Sequence, residues 1–210
     1  MIFKIEEKKD KILEEMYKKA MKELNEFYEL NWEYNLPNVI ILESREELNN
    51  FWGEKTEDWL VAFAEKQTTF ILSRENYEKE SSHKYSYEEY FSTLKHELGH
   101  LFFGNLSKGK ENPLWFNEGI QVFITGKLKS KKPIKKFSKF IGYYSKWDKN
   151  AYNESGFAVE FLVTKFGKNK LINLIKGLSQ IESEEEFNRL FKKIYGFELT
   201  YDEINKRYVK

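Results

Sequence analysis

Apolar side chains recur at helical spacing between residues 3 and 31, with Glu and Lys at the intervening positions. This pattern predicts one long amphipathic helix that ends before Pro37. Because its polar face mixes both charge signs, we expect it to pack on the rest of the chain rather than on a membrane surface or a partner. The apolar stripe consists of Ile5, Ile12, Leu13, Met16, Tyr17, Ala20, Met21, Leu24, Phe27 and Tyr28.

Three short apolar runs after Pro37 predict β-strands. Residues 39–42 form a continuous apolar run, as buried strands do, and residues 59–64 and 68–72 predict two more strands joined by a turn. A polar loop over residues 73–85 follows, and the pattern beyond it predicts helices. The sequence therefore predicts an α+β fold, with a small mixed sheet in the N-terminal part and then a mainly helical part.

Helix starts are marked by Ser or Thr followed three residues later by Glu, a pair that caps the free amides of a first turn. Such pairs are Ser44/Glu47, Ser86/Glu89, Ser183/Glu186 and Thr200/Glu203. We expect the helix after Ser86 to end at Gly104-Asn105, and Asn112-Pro113 to begin the next helix, over residues 114–125, as N-cap and first-turn proline. Further helices are predicted over residues 152–166, 171–178 and 187–195.

Length and composition limit the class of protein. The 210 residues are enough for one domain with a sizeable core, and we expect a single domain over 1–210, with a strand-rich lobe at 1–85 and a helical lobe at 86–210. Lys+Arg 35 and Asp+Glu 34 nearly cancel, so nothing indicates a nucleic-acid partner. Without cysteine, a metal ion has to be held by His and carboxylate groups.

The start of the chain gives an expectation about location. Met1-Ile2-Phe3-Lys4 leads directly into charged residues, which is unlike a signal peptide. No apolar run approaches the roughly 20 residues that span a bilayer. We therefore expect a cytoplasmic protein without a membrane span.

The strongest chemical signal is the H-E-x-x-H motif His96-Glu97-Leu98-Gly99-His100. Residues four apart share one face of a helix, so His96 and His100 can bind the same metal ion. Neutral imidazole is a good zinc ligand, and Glu97 lies close enough to act on a metal-bound water without being a ligand. Gly99 is expected where another backbone passes close, on the substrate side or against a strand.

A catalytic zinc site needs a third protein ligand, and Glu118 in Trp115-Phe116-Asn117-Glu118-Gly119 is the natural candidate. It lies in an early turn of the helix after Pro113, which the preceding loop can bring alongside the motif helix. Asn117 is expected either to orient a ligand or to cap its helix. Glu97 would take the proton from an attacking water and pass it to the leaving amine.

Together with Phe103-Gly104-Asn105-Leu106, these motifs resemble the gluzincin zinc metallopeptidases, above all the zinc aminopeptidase branch and the related small peptidase MA-like domains. The resemblance covers residues 96–119. It implies a thermolysin-like catalytic domain with one Zn²⁺ ion. It also implies the roles already assigned from spacing, with His96, His100 and Glu118 as metal ligands and Glu97 as general base.

The same resemblance implies a tyrosine that stabilises the oxyanion of the reaction. Tyr152, in Ala151-Tyr152-Asn153-Glu154-Ser155, is our candidate, and Tyr143 and Tyr144 are the alternatives. His83, in the polar loop before the motif helix, is expected to be a plain surface residue. Its alternative role is that of a donor in the site.

Two departures from the family concern substrate recognition. Seventeen residues separate His100 from Glu118, one fewer than is usual in the large aminopeptidases. The G-x-M-E-N motif that anchors the free amine of the substrate is absent, and Glu65 lies near its place in a different context. Aminopeptidase specificity is therefore not implied. We expect instead that the strand at 68–72 is a sheet edge that binds an extended peptide by main-chain pairing.

Residues 127–139 contain seven lysines around Pro133. Such a run is typical of a solvated, mobile loop, which is the interpretation we favour here. The alternative is a patch that binds an anionic partner or steers substrate.

We interpret the chain as a zinc-dependent peptidase that hydrolyses peptide bonds by metal-activated water, with a peptide or protein as its substrate. Internal cleavage and removal of N-terminal residues both remain open. Two other classes compete with this interpretation: a non-catalytic peptide-binding or scaffold module that retains a zinc site, and a structural domain without metal.

Overall fold

The computed structural model describes residues 6–7, 9–146 and 148–208. Its fold class is α+β, as the sequence predicts, with a small mixed sheet in the N-terminal part followed by a mainly helical part. The helices are α1 Lys11–Tyr28, α2 Arg45–Trp52, α3 Tyr87–Ser107, α4 Leu114–Ile124, α5 Lys149–Phe166, α6 Lys168–Gly177, α7 Glu184–Tyr195 and α8 Tyr201–Arg207, and the strands are β1 Asn38–Leu42, β2 Ala62–Glu65 and β3 Thr68–Leu72.

The predicted capping pairs begin helices α2, α3, α7 and α8. In each, the Ser or Thr hydroxyl accepts a hydrogen bond from the amide of the Glu three residues later. Helix α1 is shorter than the predicted range of 3–31. It begins after Asp10, whose carboxylate caps the amide of Leu13, and residues 3–5 and 8 of that range lie outside the described residues.

The predicted end of the motif helix at Gly104-Asn105 is wrong. Helix α3 continues through both residues to Ser107 and ends at Lys108, which adopts the left-handed conformation. A glycine within a helix costs only about 1 kcal/mol. The apolar face continues past it, because Leu106 is buried in the core. Burial of that face therefore outweighs the local stop signal.

Helix α4 begins at Leu114, as predicted, but the residue at its cap differs from the prediction that Asn112 is the N-cap. Pro113 occupies the N-cap position and supplies no side-chain hydrogen bond. The first two amides of α4, those of Leu114 and Trp115, donate instead to the carbonyls of Tyr144 and Tyr143, at 2.7 and 2.8 Å. A distant loop thus replaces the local cap.

The sheet has the order β1-β3-β2, with β3 parallel to β1 and antiparallel to β2. The expectation that residues 68–72 form a sheet edge is therefore wrong, because β3 is the central strand. Strand β2 is an edge, and it begins at Ala62 rather than at 59. The segment before it is bound by Arg45, whose guanidinium donates to the carbonyls of Asp58 and Leu60.

Helix α3 lies at the centre of the fold. It packs against α1, β2, β3, α4 and α6, and Leu94, Leu98 and Phe102 are fully buried along it. The predicted packing of α1 on the rest of the chain is confirmed, since Tyr28 stacks on Phe102 with ring centroids 5.7 Å apart. None of the described helices is long and apolar enough to cross a membrane.

Glycine permits close approach at two helix contacts. A Cβ at Gly99 of α3 would lie 2.1 Å from Oε1 of Gln121 on α4, and one at Gly119 of α4 would lie 2.6 Å from the carbonyl oxygen of Ser155 on α5. The neighbour of Gly99 is thus a helix side chain and not the strand or substrate that the sequence led us to expect. These two contacts fix how α4 sits between α3 and α5.

Gly119→Ala is expected to destabilise the protein, although alanine is the better helix former. The new methyl group would meet backbone that cannot rotate away, so we expect an overpacking cost of about 2–3 kcal/mol, which exceeds the helix-propensity gain of about 1 kcal/mol. We expect the free energy of unfolding, measured by urea denaturation, to fall by about 1–2 kcal/mol. The matched control is Gly104→Ala in α3, where the new methyl group would meet no atom within 4 Å outside its own stretch of helix. It should leave stability unchanged or raise it, and an equal response of both variants would contradict the contact.

Candidate metal centre

Three side chains from two helices converge on one point. His96 and His100 project from α3, and their Nε2 atoms are 3.2 Å apart. Glu118 projects from α4, with Oε2 3.3 Å from His96 Nε2 and Oε1 3.6 Å from His100 Nε2. The structure therefore brings together the three residues that the sequence predicts as metal ligands.

The donor set and its spacing fit one metal ion. Ligand atoms at roughly 2.0–2.1 Å from a tetrahedral zinc-sized ion lie about 3.4 Å from one another. The three separations, 3.2, 3.3 and 3.6 Å, are close to that value. Two imidazoles and a carboxylate could therefore hold one metal ion at this point.

The charges of the three side chains are tightly coupled. Burial lowers the pKa of His100, but the negative charges of Glu118 and Glu97 and a hydrogen bond with Asn117 outweigh burial and raise the pKa above its ordinary 6.5. Burial raises the pKa of Glu118, but the charge of His100, the contact with His96 and the charge of Lys127 bring it below 4.5. The charge of Glu118 thus favours the protonated form of His100, and the charge of His100 favours the ionised form of Glu118.

His100 is oriented by a buried network of hydrogen bonds. Its Nδ1 lies 2.9 Å from Oδ1 of Asn117, which also accepts a hydrogen bond from Nε2 of Gln121 at 3.1 Å. The hydroxyl of Tyr28 on α1 donates to Oε1 of Gln121 at 3.2 Å. Because Asn117 accepts through this oxygen, the proton of neutral His100 lies on Nδ1, and Nε2 is left to bind a metal ion.

Of the two roles expected for Asn117, the structure contains the contact that orients a ligand, since Pro113 occupies the cap position of its helix. Gln121 and Tyr28 were not recognised from the sequence. The available signal was Gln121 itself, a polar residue four positions after Asn117 on the buried face of α4. Buried polar side chains need hydrogen-bond partners, and Asn117 and Gln121 bond to each other.

The centre opens into a cleft of about 1260 Å³. Strand β2 borders the cleft, and so do Tyr152 and Asn153 of α5. Several aromatic side chains add apolar surface, among them Trp32, Trp52, Trp59, Phe63 and Phe103. The cleft is large enough for several residues of an extended peptide and offers both main-chain and apolar contacts.

Among the three candidate tyrosines, Tyr152 borders the centre. Its ring centroid is 6.4 Å from that of His96, and it lines the cleft. Burial raises its pKa well above 10, and the negative charges of Glu118 and Glu97 raise it further, so the phenol remains a proton donor. Tyr143 is instead buried in the core, and Tyr144 packs against Phe187 with ring centroids 6.2 Å apart.

His83 differs from the plain surface residue expected from the sequence. It lines the cleft, with Nε2 2.9 Å from the carbonyl of Trp59 and Nδ1 3.4 Å from a carboxylate oxygen of Glu89. The hydrogen bond to Glu89 raises its pKa, against the effect of burial. It therefore ties the segment before β2 to the first turn of α3.

The lysine-rich segment 127–139 is only partly a solvated loop. Its exposed lysines are Lys129, Lys132, Lys135, Lys136 and Lys139. Lys127 and Lys131 line the cleft instead. The end of the segment is attached to α5 by the buried carboxylate of Glu154, which accepts hydrogen bonds from the amides of Ser138, Lys139 and Phe140.

Comparison with known proteins supports the peptidase resemblance over part of the chain. The chain is 30% identical to leucine aminopeptidase 2 of Aspergillus fumigatus over 110 residues, which are 49% of this chain and 16% of that protein. No family model and no solved structure matches the chain. The chain thus combines an α+β fold, a His-His-Glu cluster that could hold one metal ion, and a distant similarity to an aminopeptidase over about half of its length.

We expect the affinity for Zn²⁺ to rise with pH and then level off above the pKa of His100. That pKa lies above 6.5, and the metal takes up neutral imidazole, so binding has to release a proton at lower pH. One released proton gives about a tenfold change in apparent affinity per pH unit. Glu118, with its pKa below 4.5, is already ionised near neutrality and therefore does not add to the pH dependence of zinc affinity there. Chelator competition across this range measures the profile.

Glu118→Ala supplies the control for this titration. It removes one ligand and also a charge that raises the pKa of His100. We therefore expect weaker Zn²⁺ binding, and the rise of affinity with pH should occur at lower pH. A profile that does not change with pH in the original chain would contradict the coupling between His100 and the metal.

Proposed function

We propose that the chain is a zinc-dependent peptidase of the gluzincin type and that residues 1–210 form one catalytic domain. The observation that carries the proposal is the convergence of His96, His100 and Glu118 beside a fourth group, Glu97, that is not part of the cluster. Two imidazoles and a carboxylate with an adjacent free carboxylate are what metal-assisted hydrolysis requires. The similarity to an aminopeptidase over about half of the chain supports the same class.

A Zn²⁺ ion bound by the three ligands would polarise the substrate carbonyl and make water at the site more acidic. Glu97 would accept the proton of the attacking water on its carboxylate and deliver it to the nitrogen of the leaving amine. Its position is consistent with both steps. It lines the cleft, and its negative charge raises the pKa of both His100 and Tyr152.

Tyr152 would donate a hydrogen bond to the oxygen of the substrate carbonyl as negative charge develops there. Its raised pKa keeps the hydroxyl protonated throughout the neutral range. Because much of the side chain is removed from water, such a donor stabilises charge more strongly than it would in bulk solvent.

Strand β2 would align the substrate. Among the described residues it pairs only with β3, so its other edge is available to an extended peptide at the border of the cleft. Main-chain pairing gives affinity without selecting side chains. Trp52 and Phe63, whose ring centroids are 5.1 Å apart, would give apolar contacts beside that edge. The role that the sequence led us to expect of residues 68–72 thus passes to Ala62–Glu65.

We expect Glu97→Gln to retain zinc and to lose peptidase activity by about 10²–10⁴-fold, because the amide cannot accept the proton. Cleavage of a mixed peptide library, read by mass spectrometry, measures the loss and shows whether cuts are internal or at the amino end. Glu88→Gln, an exposed position on the same helix, is the matched control and should cut like the original chain.

Full turnover by zinc-loaded Glu97→Gln would exclude Glu97 as the base. Peptide binding without any cleavage by the zinc-loaded original chain would favour the alternative, a peptide-binding module that has kept its metal site.

A further inference from the structure

Two lysines of the lysine-rich segment face the metal centre. Lys127 and Lys131 lie in the 3-10 turn after α4 and directly behind it, and both line the cleft. The side chain of Lys127 is 27% exposed, and Lys131 is half-buried. Neither takes part in the metal binding or in the proton transfers described above.

Lys131 is held at the side of the cleft formed by α5. Its ammonium group donates a hydrogen bond to Oδ1 of Asn153 and lies 5.9 Å from the ring centroid of Tyr152. Tyr152 in turn is the neighbour of His96. Lys131 is thus separated from the metal centre by a single side chain.

Lys127 acts on the metal centre from the same side. Its Nζ lies 4.0 Å from Oε1 of Glu89, and its charge is among those that lower the pKa of Glu118. Burial lowers the pKa of Lys131, and the charge of Lys127 lowers it further. The two ammonium groups therefore repel each other, and Glu89 offsets part of the charge of Lys127. A carboxylate bound beside both lysines would reduce the repulsion that remains.

Elsewhere along the cleft carboxylates outnumber lysines, and the further lysine of the lining, Lys66, lies 3.8 Å from a carboxylate oxygen of Glu65. Glu97 and Glu118 lie at the centre of the cleft, and Glu65 lies at the end of β2. A negatively charged group of a bound peptide would therefore be repelled from these places and attracted to the α5 side. Positive and negative groups thus lie in different parts of the cleft, and this distribution of charge can select substrates.

We propose that Lys127 and Lys131 bind a carboxylate of the substrate next to the scissile bond, so that the enzyme prefers peptides with an acidic group there. This inference rests on the proposed peptidase function. The carboxylate belongs either to an Asp or Glu side chain or to the free C-terminus of a short peptide. Both have the same chemistry, and ammonium groups bind both by charge-assisted hydrogen bonds.

The test uses two pairs of fluorogenic peptides built on a sequence that the chain cuts. One pair differs only in Glu or Gln beside the scissile bond, and the other only in a free or an amidated C-terminus. We expect kcat/KM to favour the acidic member of one pair by at least about tenfold. The pair that responds identifies the source of the carboxylate.

Variants assign the preference to the two lysines. Lys131→Met and Lys127→Met should reduce the preference to near unity, Lys131→Arg should preserve most of it, and Lys132→Met, an exposed neighbour, should leave it unchanged. Because the readout is a ratio of two substrates, a general loss of activity does not imitate the result. A ratio that survives both methionine variants, or no preference in either pair, would overturn the inference.

A binding measurement separates this inference from the proposed function. Anisotropy titrations of the same labelled peptides with zinc-loaded Glu97→Gln need no turnover, and the acidic member should bind about tenfold tighter. If the zinc-loaded original chain cleaves no peptide, the pairs are built on a peptide that it binds, and a lysine-dependent binding preference would then sustain the carboxylate site and refute the peptidase. Turnover without any preference for the acidic member, in cleavage or in binding, would support the peptidase and refute the carboxylate site.

Discussion

The metal centre depends on how closely two helices approach. Its two histidines belong to α3 and its glutamate to α4, so the centre exists only while these helices keep one separation and one rotation. Gly99 sets that separation, because a methyl group there would overlap the amide of Gln121. The same amide contacts Tyr28 and Asn117, and Asn117 holds His100. The same contacts therefore pack the helices together and orient a metal ligand.

Local signals in the sequence were sufficient for much of this arrangement. The spacing of His96 and His100 determines which face they share whatever the rest of the fold is, and a capping pair such as Ser86 with Glu89 depends on four consecutive residues. The predicted ligand set needed one further step, that α4 lies beside α3. The short loop before Pro113 made that placement feasible, and the motif resemblance supported it, whereas periodicity alone would not have predicted it.

The predictions that failed depend on distant contacts. The order of strands cannot be read from their apolar runs, so the central strand β3 was taken for an edge. Gly104 resembles a helix stop, yet buried Leu106 beyond it keeps the helix going. The first amides of α4 find carbonyls about thirty residues away. Likewise, no local pattern distinguishes Lys127 and Lys131 from the exposed lysines around them, because the difference lies in distant partners: Glu89 of α3 beside Lys127, and Asn153 of α5 beside Lys131.

Three consecutive residues of α5 have three different attachments. Tyr152 faces the metal centre, Asn153 holds Lys131, and Glu154 binds the amides at the end of the lysine-rich segment. The lysine-rich segment is thus attached to this turn of α5 at two places, at Lys131 and at its end. We therefore expect insertions or deletions between residues 131 and 138 to displace Tyr152 as well, and to be tolerated less well than in a loop that is attached only at its ends. A designer who wished to transplant its selectivity would have to move the segment and the start of α5 together.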